Sequence, residues 1–488
     1  MLYRSGITAT IQRRIISEAP SFQPNWPAER SSRSDVVKTV TLPSGRQHVG
    51  ERVISCSLIA PEASTQRYQQ GKPLSSLDGV PFAVIDCLHA GPYPTTAGTK
   101  QDAPSIAALL AAGAILVGKA NLHEIGAGMT GINVHHGPCR NPHSPAHLCG
   151  GSSSGCAAIV ASGICPFAIG VDGGGSLRVP AALCGVVGLK PTVGRSSAAG
   201  CTDNVTSILS IGPIAACVTD AMLVYAAIAN AGCAASGVAP ITVPHQLLHS
   251  KTVQARTAAP SPLRLGVYWR WFEDASTEVV SACKQALELF KSETGCEIVP
   301  MEIRGLEAAR AGQLISVGAS LAQAYRQLLK LRRSTLGPDT LATLLVAEQF
   351  TACDFLQAQQ VRTRVMASFA DAFKQADVIV TPTAPITAPS LRADTLSHGE
   401  LNMMLAGELM RFTNAVNMAG LPAISVPIST AAGLPVGMQL IGQPWQEASL
   451  LYVSSALEAA VALQSPRRMP KVMHHVFKGL LPELLEGA

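Results

Sequence analysis

Two glycine-rich turns hold the serines of this chain that are best suited to nucleophilic chemistry. The first turn is the run Gly-Gly-Ser-Ser-Ser-Gly at 150–155, and the second is the run Gly-Gly-Gly-Ser at 173–176. A serine hydroxyl becomes a nucleophile when a base takes its proton, and a second serine can relay that proton. Glycines let backbone N–H groups approach a bound carbonyl without a Cβ in the way, as an oxyanion hole requires. The two turns therefore indicate a nucleophile with its proton relay, and the alternative is a pair of ordinary loops.

Two other glycine patterns resemble known motifs but lack parts of them. The run 113–120 nearly fits the phosphate-binding loop, but Ala120 has no hydroxyl to bind Mg²⁺. The run 151–155 fits the nucleophile elbow G-x-S-x-G, in which a strand leads directly into the turn. Pro142 and Pro145 precede that turn, and each lacks the N–H that a strand needs for its ladder, so we expect no strand there. Neither nucleotide binding nor an α/β-hydrolase elbow is predicted.

The composition excludes several classes of protein. Apolar residues make up 47% of the 488 residues and charged residues 14%, with a net charge of +5 and no cluster of Lys and Arg. These values exclude disorder of the whole chain and argue against a nucleic-acid-binding protein, and no apolar stretch is long enough to span a membrane. The 13 cysteines include no C-x-x-C pair, and His123-Glu124 does not begin an H-E-x-x-H motif, so we predict no metal site. Reduced thiols favour an intracellular protein, cytoplasmic or at the surface of a membrane.

The order of the predicted elements indicates one large α/β domain with a helical insertion. Residues 1–50 are predicted to form an N-terminal helix and a loose arm, although the arginines and lack of acids at the start also suit a transit peptide. Short β-branched runs alternate with Ala-rich helical stretches over about 63–243, which we expect to form the core. Residues 244–375 open with a strand and then become mostly helical, and the α/β pattern returns over about 376–470. We therefore predict a single domain over 51–488.

Two long runs of the sequence resemble the signature of the amidase signature family. The first covers 150–158, and the second covers 170–192, from Gly-Val-Asp-Gly-Gly-Gly-Ser to Leu-Lys-Pro-Thr. The likeness extends over about 63–230 and returns at 377–385 and 420–444. Within the family the chain is most similar to the plant-type fatty acid amide hydrolases. The segments that carry this finer likeness are 64–67, 77–79, 85–88 and 141–143.

The resemblance implies a fold, a reaction and a set of site residues. The implied fold is α/β, with a large mixed, mostly parallel β-sheet sandwiched by helices. The implied reaction cleaves a carboxamide through an acyl-enzyme with a Ser-cisSer-Lys triad, in which Ser176 is the nucleophile and Ser152 the relay serine. The resemblance also assigns oxyanion donors and supporting residues: the backbone N–H groups of Gly173, Gly174, Gly175 and Ser176, and the side chains of Ser153, Asp172 and Arg178, the last two as an ion pair.

The lysine of that triad is missing from its expected place. In the family it ends a strand motif, which here reads Gly-Val-Pro-Phe-Ala-Val over 79–84 and continues with Ile85. Either Ile85 replaces the lysine, or a few residues that carry it are deleted, as a shortened reading of the gene would also produce. Isoleucine cannot accept a proton, so the resemblance implies impaired activity unless Lys72, Lys100 or Lys119 takes the role.

The function implied by the resemblance is hydrolysis of an apolar amide, such as a fatty acid amide or an N-acylethanolamine. It requires no metal or organic cofactor and only a small-molecule partner, while a homodimer and a peripheral contact with a membrane stay open. Two alternatives share the fold. One is a catalytically impaired homologue that binds a lipid amide or acts as a scaffold, which the missing lysine favours. The other is a glutamine-hydrolysing subunit of an amidotransferase complex, which would need partner chains.

Overall fold

The apolar runs predicted as strands lie in one large sheet. A computed structural model describes residues 59–91, 93, 95, 102–202, 207–229, 231, 262–393, 395, 399 and 402–462, so the predicted N-terminal helix and arm at 1–50 lie outside the described residues. The described strands, in chain order, are β1 (Pro81–Ile85), β2 (Ile115–Ala120), β3 (Arg140–Asn141), β4 (Ser144–Leu148), β5 (Phe167–Asp172), β6 (Val187–Lys190), β7 (Ser210–Ala215), β8 (Arg264–Val267), β9 (Glu297–Pro300), β10 (Val378–Pro382), β11 (Ala423–Ala431) and β12 (Leu434–Ile441).

Ten of these strands form the sheet, in the order β2-β1-β5-β7-β6-β11-β12-β10-β8-β9. The pairings of β1 with β2 and β5, and of β8 with β9 and β10, are parallel. The pairings from β5 through β7, β6, β11 and β12 to β10 are antiparallel. The sheet is therefore mixed, as predicted, but it is not mostly parallel, because five of its nine pairings are antiparallel and the parallel ones are confined to its two sides. Of the antiparallel pairs, β11 and β12 are joined by a short turn, which a parallel pair would not allow.

The strands β3 and β4 form a separate two-stranded ribbon just before the first serine turn. The expectation that no strand would form at Pro145 was therefore wrong, since Pro145 lies within β4. Proline is accepted there because the ladder of this short ribbon pairs Ser144 and Leu148 and leaves Pro145 unpaired.

Both faces of the sheet are buried, as the alternation along its strands shows. In β10, Val378 and Val380 belong to the main hydrophobic core, whereas Ile379 between them packs into a second core with Phe369 and Phe412. Successive side chains of a strand point to opposite faces, so the two cores lie on opposite sides of the sheet. This explains why the strands read as nearly continuous apolar runs.

Helices pack on both sides of the sheet. They are α1 (Ile59–Gln69), α2 (Pro104–Ala111), α3 (Ser154–Ala161), α4 (Arg178–Cys184), α5 (Val218–Ala229), α6 (Trp269–Phe272), α7 (Thr277–Thr294), α8 (Leu306–Ala324), α9 (Arg326–Arg332), α10 (Pro338–Ala347), α11 (Ala352–Ala372), α12 (Met403–Leu409), α13 (Asn414–Ala419) and α14 (Glu447–Ala462). None of the described helices combines the length and the apolar character that a membrane crossing needs.

The stretch predicted as a helical insertion contains both strands and helices. It includes β8 and the edge strand β9, with α6 and α7 between them, and then the helices α8 to α11, of which α8 packs against α10, α11 and α13. The boundaries of the insertion at 244 and 375 stay a prediction.

The two serine turns lie near the C-terminal ends of three neighbouring strands. Because β1, β2 and β5 run parallel, these ends lie side by side, where Ile85, Ala120 and Asp172 end their strands. The second serine turn follows β5 directly, and the first begins α3, which packs on β1, β2 and β5. Ligands of such sheets bind beyond the C-terminal ends of parallel strands.

Candidate active site

Ser176 lies on a turn between a buried strand and a helix. The strand β5 ends at Asp172, the glycines at 173–175 form the turn, and α4 begins at Arg178. Gly175 has φ +128°, a conformation that favours glycine, and a Cβ there would overlap the hydroxyl of Thr413. Ser176 itself is 6% exposed, and its hydroxyl donates a weak hydrogen bond to Sδ of Met129, 3.7 Å away. We call residues 172–176 the nucleophile turn.

Each carbonyl group of residues 172–175 in the nucleophile turn accepts a hydrogen bond from a residue outside the turn. The donors are Asn417 Nδ2 to Asp172 O (3.3 Å), Gln313 Nε2 to Gly173 O (3.0 Å), Thr413 Oγ1 to Gly174 O (2.6 Å), and Val179 N to Gly175 O (2.8 Å). Because the C=O and N–H of a trans peptide point in opposite directions, these bonds also direct the N–H groups of the turn.

The N–H groups of the nucleophile turn differ in what they can offer a ligand. The N–H of Gly175 donates to Oδ1 of Asp172 at 2.7 Å, so it is already engaged. Within the described residues, no hydrogen bond involves the N–H of Gly173, Gly174 or Ser176. A Cβ built on Gly173 would meet nothing within 4 Å, so there is open space beside it. The turn can therefore present N–H donors to a negatively charged oxygen.

The first serine turn is joined to the nucleophile turn by backbone contacts. The N–H of Ser153 donates to the carbonyl of Ser176 at 3.2 Å, and the carbonyl of Ser152 accepts from the N–H of His123 at 3.1 Å. The peptide between Gly151 and Ser152 is cis. The hydroxyl of Ser153 donates to the carbonyl of Val171 at 3.2 Å and so ties α3 to β5. The structure thus joins Ser153 to Ser176 directly, with Ser152 as the preceding residue, and the relay role of Ser152 stays a prediction.

Asp172 and Arg178 form a buried ion pair beneath the nucleophile turn. Both side chains have 0% exposure, with Arg178 Nε 3.0 Å from Asp172 Oδ2 and Arg178 Nη2 3.0 Å from Asp172 Oδ1. Arg178 also donates to Gln439 Oε1 at 2.6 Å and to Asn417 Oδ1. Burial by itself would raise the pKa of Asp172, but the charge and hydrogen bonds of Arg178 outweigh it and hold the pKa at about 2. This pair lies where the sequence predicts a brace for the turn.

We expect Asp172 to make the fold sensitive to acid. Its pKa of about 2 lies below the usual 3.8, so its ionised form stabilises the folded state by about 2 kcal/mol. That contribution is fully present above about pH 4 and is lost as the pH falls through about 2. Urea unfolding between pH 5 and pH 2.5 would measure the loss, and the double variant Asp172→Asn/Arg178→Met should lack it. The same pH profile in both proteins would contradict this assignment.

No lysine follows β1 in the structure. Ile85 ends the strand with 0% exposure, and Asp86 comes next. Lys119 lies opposite Val84 on β2, but its amino group donates to the carbonyl of Leu88 and to Oγ1 of Thr95 (3.0 Å). Burial lowers the pKa of Lys119, and Asp86, 3.7 Å away, opposes that shift. In the described part of the chain no hydrogen bond joins Lys119 to either serine turn, while Lys72 is exposed and Lys100 lies outside the described residues.

A cavity lies beyond the C-terminal end of β1. Its walls include Asp86 and Cys87 after β1, Leu122 after β2, and Tyr325 at the end of α8. Leu122 precedes His123, whose N–H donates to the carbonyl of Ser152 in the first serine turn. The cavity therefore lies beside the residues that follow β1, the place where the resemblance implies a lysine.

Several residues that contact the nucleophile turn or Arg178 beneath it were not predicted from the sequence. Gln313 comes from α8, Thr413 and Asn417 from the region of α13, and Gln439, the partner of Arg178, from β12. Each is a single polar residue more than a hundred positions from its partner, as the separations of 140, 239, 245 and 261 residues show. In the sequence these residues can be recognised only as polar residues on the apolar face of a helix or strand. That pattern does not predict which residue each of them contacts.

Comparison with known proteins finds close relatives over most of the chain. The family model described as Amidase matches residues 52–451. The fatty acid amide hydrolase of Medicago truncatula is 43% identical over 408 residues, which are 81% of this chain and 67% of that protein. The fatty acid amide hydrolase of Arabidopsis thaliana is 39% identical over 477 residues, 93% of this chain and 74% of that protein. A solved crystal structure of an amidase matches with a TM-score of 0.72 at 28% identity, covering 83% of this chain and 91% of the other. The matched range includes both serine turns and all the described strands.

Proposed function

Since the chain belongs to the amidase family, we propose that it hydrolyses the amide bond of a fatty acid amide or an N-acylethanolamine through an acyl-enzyme on Ser176. Similarity to fatty acid amide hydrolases of two plants supports the substrate class. The observation that carries the proposal is the geometry of the nucleophile turn. This turn carries both the hydroxyl of Ser176 and backbone N–H donors, and the first serine turn is hydrogen-bonded to it through Ser153.

In the proposed reaction, Oγ of Ser176 forms a bond to the carbonyl carbon of the amide. Its proton passes to the hydroxyl of Ser152 as Ser152 gives its own proton to the amide nitrogen, and the carbonyl oxygen becomes an oxyanion that accepts hydrogen bonds from the N–H groups of Gly173 and Gly174. The C–N bond then breaks, and the amine departs with the proton that Ser152 supplied. Water attacks the resulting ester on Ser176, which releases the fatty acid and restores the hydroxyl.

The missing lysine limits the rate of this reaction. Without a base to take the proton from Ser152, the attack by Ser176 depends on positioning and on the oxyanion donors. In other serine triads these two features alone retain about 10³–10⁴-fold acceleration over water. The chain is therefore proposed as a slow amidohydrolase. The alternative is a homologue that binds lipid amides without turnover, and it is supported by Ile85 in the place of the lysine base.

We expect a fluorophosphonate probe to label Ser176 slowly, because the oxyanion donors are in place and the base is not. The purified chain would be incubated with the probe beside the variants Ser176→Ala and Ser281→Ala, and mass spectrometry would locate the adduct. Ser281 is an exposed serine of α7, so its variant is the matched control. Labelling should disappear in Ser176→Ala alone. A folded wild-type protein that takes up no probe would contradict the acyl-enzyme and favour the binding homologue.

A further inference from the structure

Gln313 is a buried polar residue of α8 that reaches the nucleophile turn from the helical insertion. Its side chain has 4% exposure, and its Nε2 donates to the carbonyl of Gly173 at 3.0 Å. A Cβ built on Gly174 would lie 2.7 Å from the same Nε2 atom, so the amide of Gln313 packs directly on the backbone of the turn. A buried amide needs a hydrogen bond to offset its loss of water, and here Nε2 of Gln313 makes that bond to the carbonyl of Gly173.

The peptide between Gly173 and Gly174 depends on this hydrogen bond for its orientation. The next peptide is held at both ends, by Thr413 at its carbonyl and by Asp172 at its N–H. The peptide between Gly173 and Gly174 is flanked by two glycines, which restrict rotation least, and the side of Gly173 faces open space. In the described residues its one hydrogen bond is that of Gln313. Since the peptide is planar and trans, the bond to the carbonyl of Gly173 turns the N–H of Gly174 in the opposite direction.

We propose that Gln313 is a positioning residue for amide hydrolysis, which holds the carbonyl of Gly173 so that the N–H of Gly174 faces the oxyanion of the substrate. This inference rests on the proposed function, because the oxyanion exists only if Ser176 attacks a carbonyl. Loss of one donor of an oxyanion hole lowers kcat by about 10²–10³-fold. Gln313 acts through the backbone and does not touch the substrate, so the expected loss lies at about 10²-fold, with little change in KM.

The kinetic test compares Gln313→Met, Gln313→Glu and the control Gln359→Met. Gln359 belongs to the neighbouring α11 and donates to Ser316 at 3.0 Å, so its variant removes a similar amide hydrogen bond away from the nucleophile turn. The rates of fluorophosphonate labelling and of N-acylethanolamine hydrolysis should fall about 10²-fold in both Gln313 variants and stay within about twofold in Gln359→Met. Equal rates in Gln313→Met and Gln359→Met would overturn the proposal.

The pH dependence of Gln313→Glu separates a positioning role from a purely structural one. An ionised carboxylate cannot donate to the carbonyl of Gly173, whereas a protonated one can donate its O–H. Burial raises the pKa of a carboxyl, which brings this protonation into an accessible range of pH. The rate of Gln313→Glu relative to wild type should therefore rise as the pH falls, while the ratio for Gln313→Met stays level. A level ratio for both variants would count against the proposal.

A structural arm decides the inference even if the chain proves inactive. In a crystal structure of Gln313→Met, the peptide between Gly173 and Gly174 should be rotated or present in two orientations, and in Gln359→Met it should match wild type. If wild type neither hydrolyses amides nor takes up the probe, the proposed function fails, and the orientation of this peptide alone decides whether Gln313 positions it. An unchanged peptide in Gln313→Met would overturn the inference in either case.

Discussion

Insertion of a Lys-Asp pair between Val84 and Ile85 is expected to raise the kcat/KM of amide hydrolysis by about 10²–10⁴-fold. In serine triads the loss of the base costs several orders of magnitude, and its return should recover much of them. Because β1 and β5 run parallel, with Val84 paired to Ile169, a lysine after Val84 would lie near the C-terminal end of β5, where the nucleophile turn begins. The cavity beyond β1 borders Asp86 and Cys87, the residues that the insertion would displace along the chain. Burial there lowers the pKa of the lysine, so it can act as a base near neutral pH.

The matched control is insertion of Met-Asp at the same place. It restores the length of the segment without an amine, so its kcat/KM should stay near that of wild type. The Lys-Asp protein should also gain activity with rising pH as its lysine loses a proton, measured with an N-acylethanolamine over pH 6–10. An equal gain in both insertions would mean that the length of the loop was the defect. No gain with Lys-Asp, in a wild type that is already active, would mean that another group serves as the base.

Replacement of Arg178 by methionine is expected to lower the free energy of unfolding by about 3–5 kcal/mol. Removal of one partner from a buried ion pair leaves the other charge in a medium that solvates it poorly. Here the carboxylate of Asp172 would stay buried at 0% exposure, and Gln439 and Asn417 would lose the guanidinium to which they are hydrogen-bonded. Urea unfolding at pH 7 would measure the loss.

Arg264→Met serves as the comparison for that measurement. Arg264 pairs with Asp377 at 2.9 Å, but the two side chains are 39% and 43% exposed. Exposed pairs contribute about 0–1 kcal/mol, so this variant should be close to wild type. The double variant Asp172→Asn/Arg178→Met should be less damaging than the sum of its two single changes, because it leaves no unpaired charge. Similar losses for Arg178→Met and Arg264→Met would contradict the role given to the buried pair.

Much of the sheet could be predicted because its strands are buried on both faces. The runs at 80–84, 115–117 and 167–171 are short, apolar and β-branched, and they form β1, β2 and β5. The run 113–120, which nearly fits a phosphate-binding loop, contains β2, so most of it is a buried strand and not a loop. Pairing direction was harder to predict, since a run that is apolar throughout has the same pattern in a parallel and an antiparallel sheet.

The serine turns could be predicted because their residues are contiguous and their spacing belongs to a long, specific pattern. The missing lysine was visible for the same reason, since Ile85 stands at a defined position after the strand motif. Gln313 and Thr413 carry no such pattern. Each is one polar residue in an otherwise apolar setting, and contact with the nucleophile turn arises only when distant segments pack together. Periodicity assigns such residues to a face but not to a partner.

The separation between Arg178 and its partners has a consequence for the order in which the protein matures on the ribosome. Its side chain bonds to Asn417 and Gln439, which are 239 and 261 residues further along the chain. When residues 150–192 have left the ribosome, the nascent chain contains every serine of the site but neither Asn417 nor Gln439. A nascent chain released before residue 439 would retain the full catalytic motif and the pair of Arg178 with Asp172, but it would lack the hydrogen bond from Arg178 to Gln439. We therefore expect the nucleophile turn to be less firmly held in such a fragment, although its motif reads as intact.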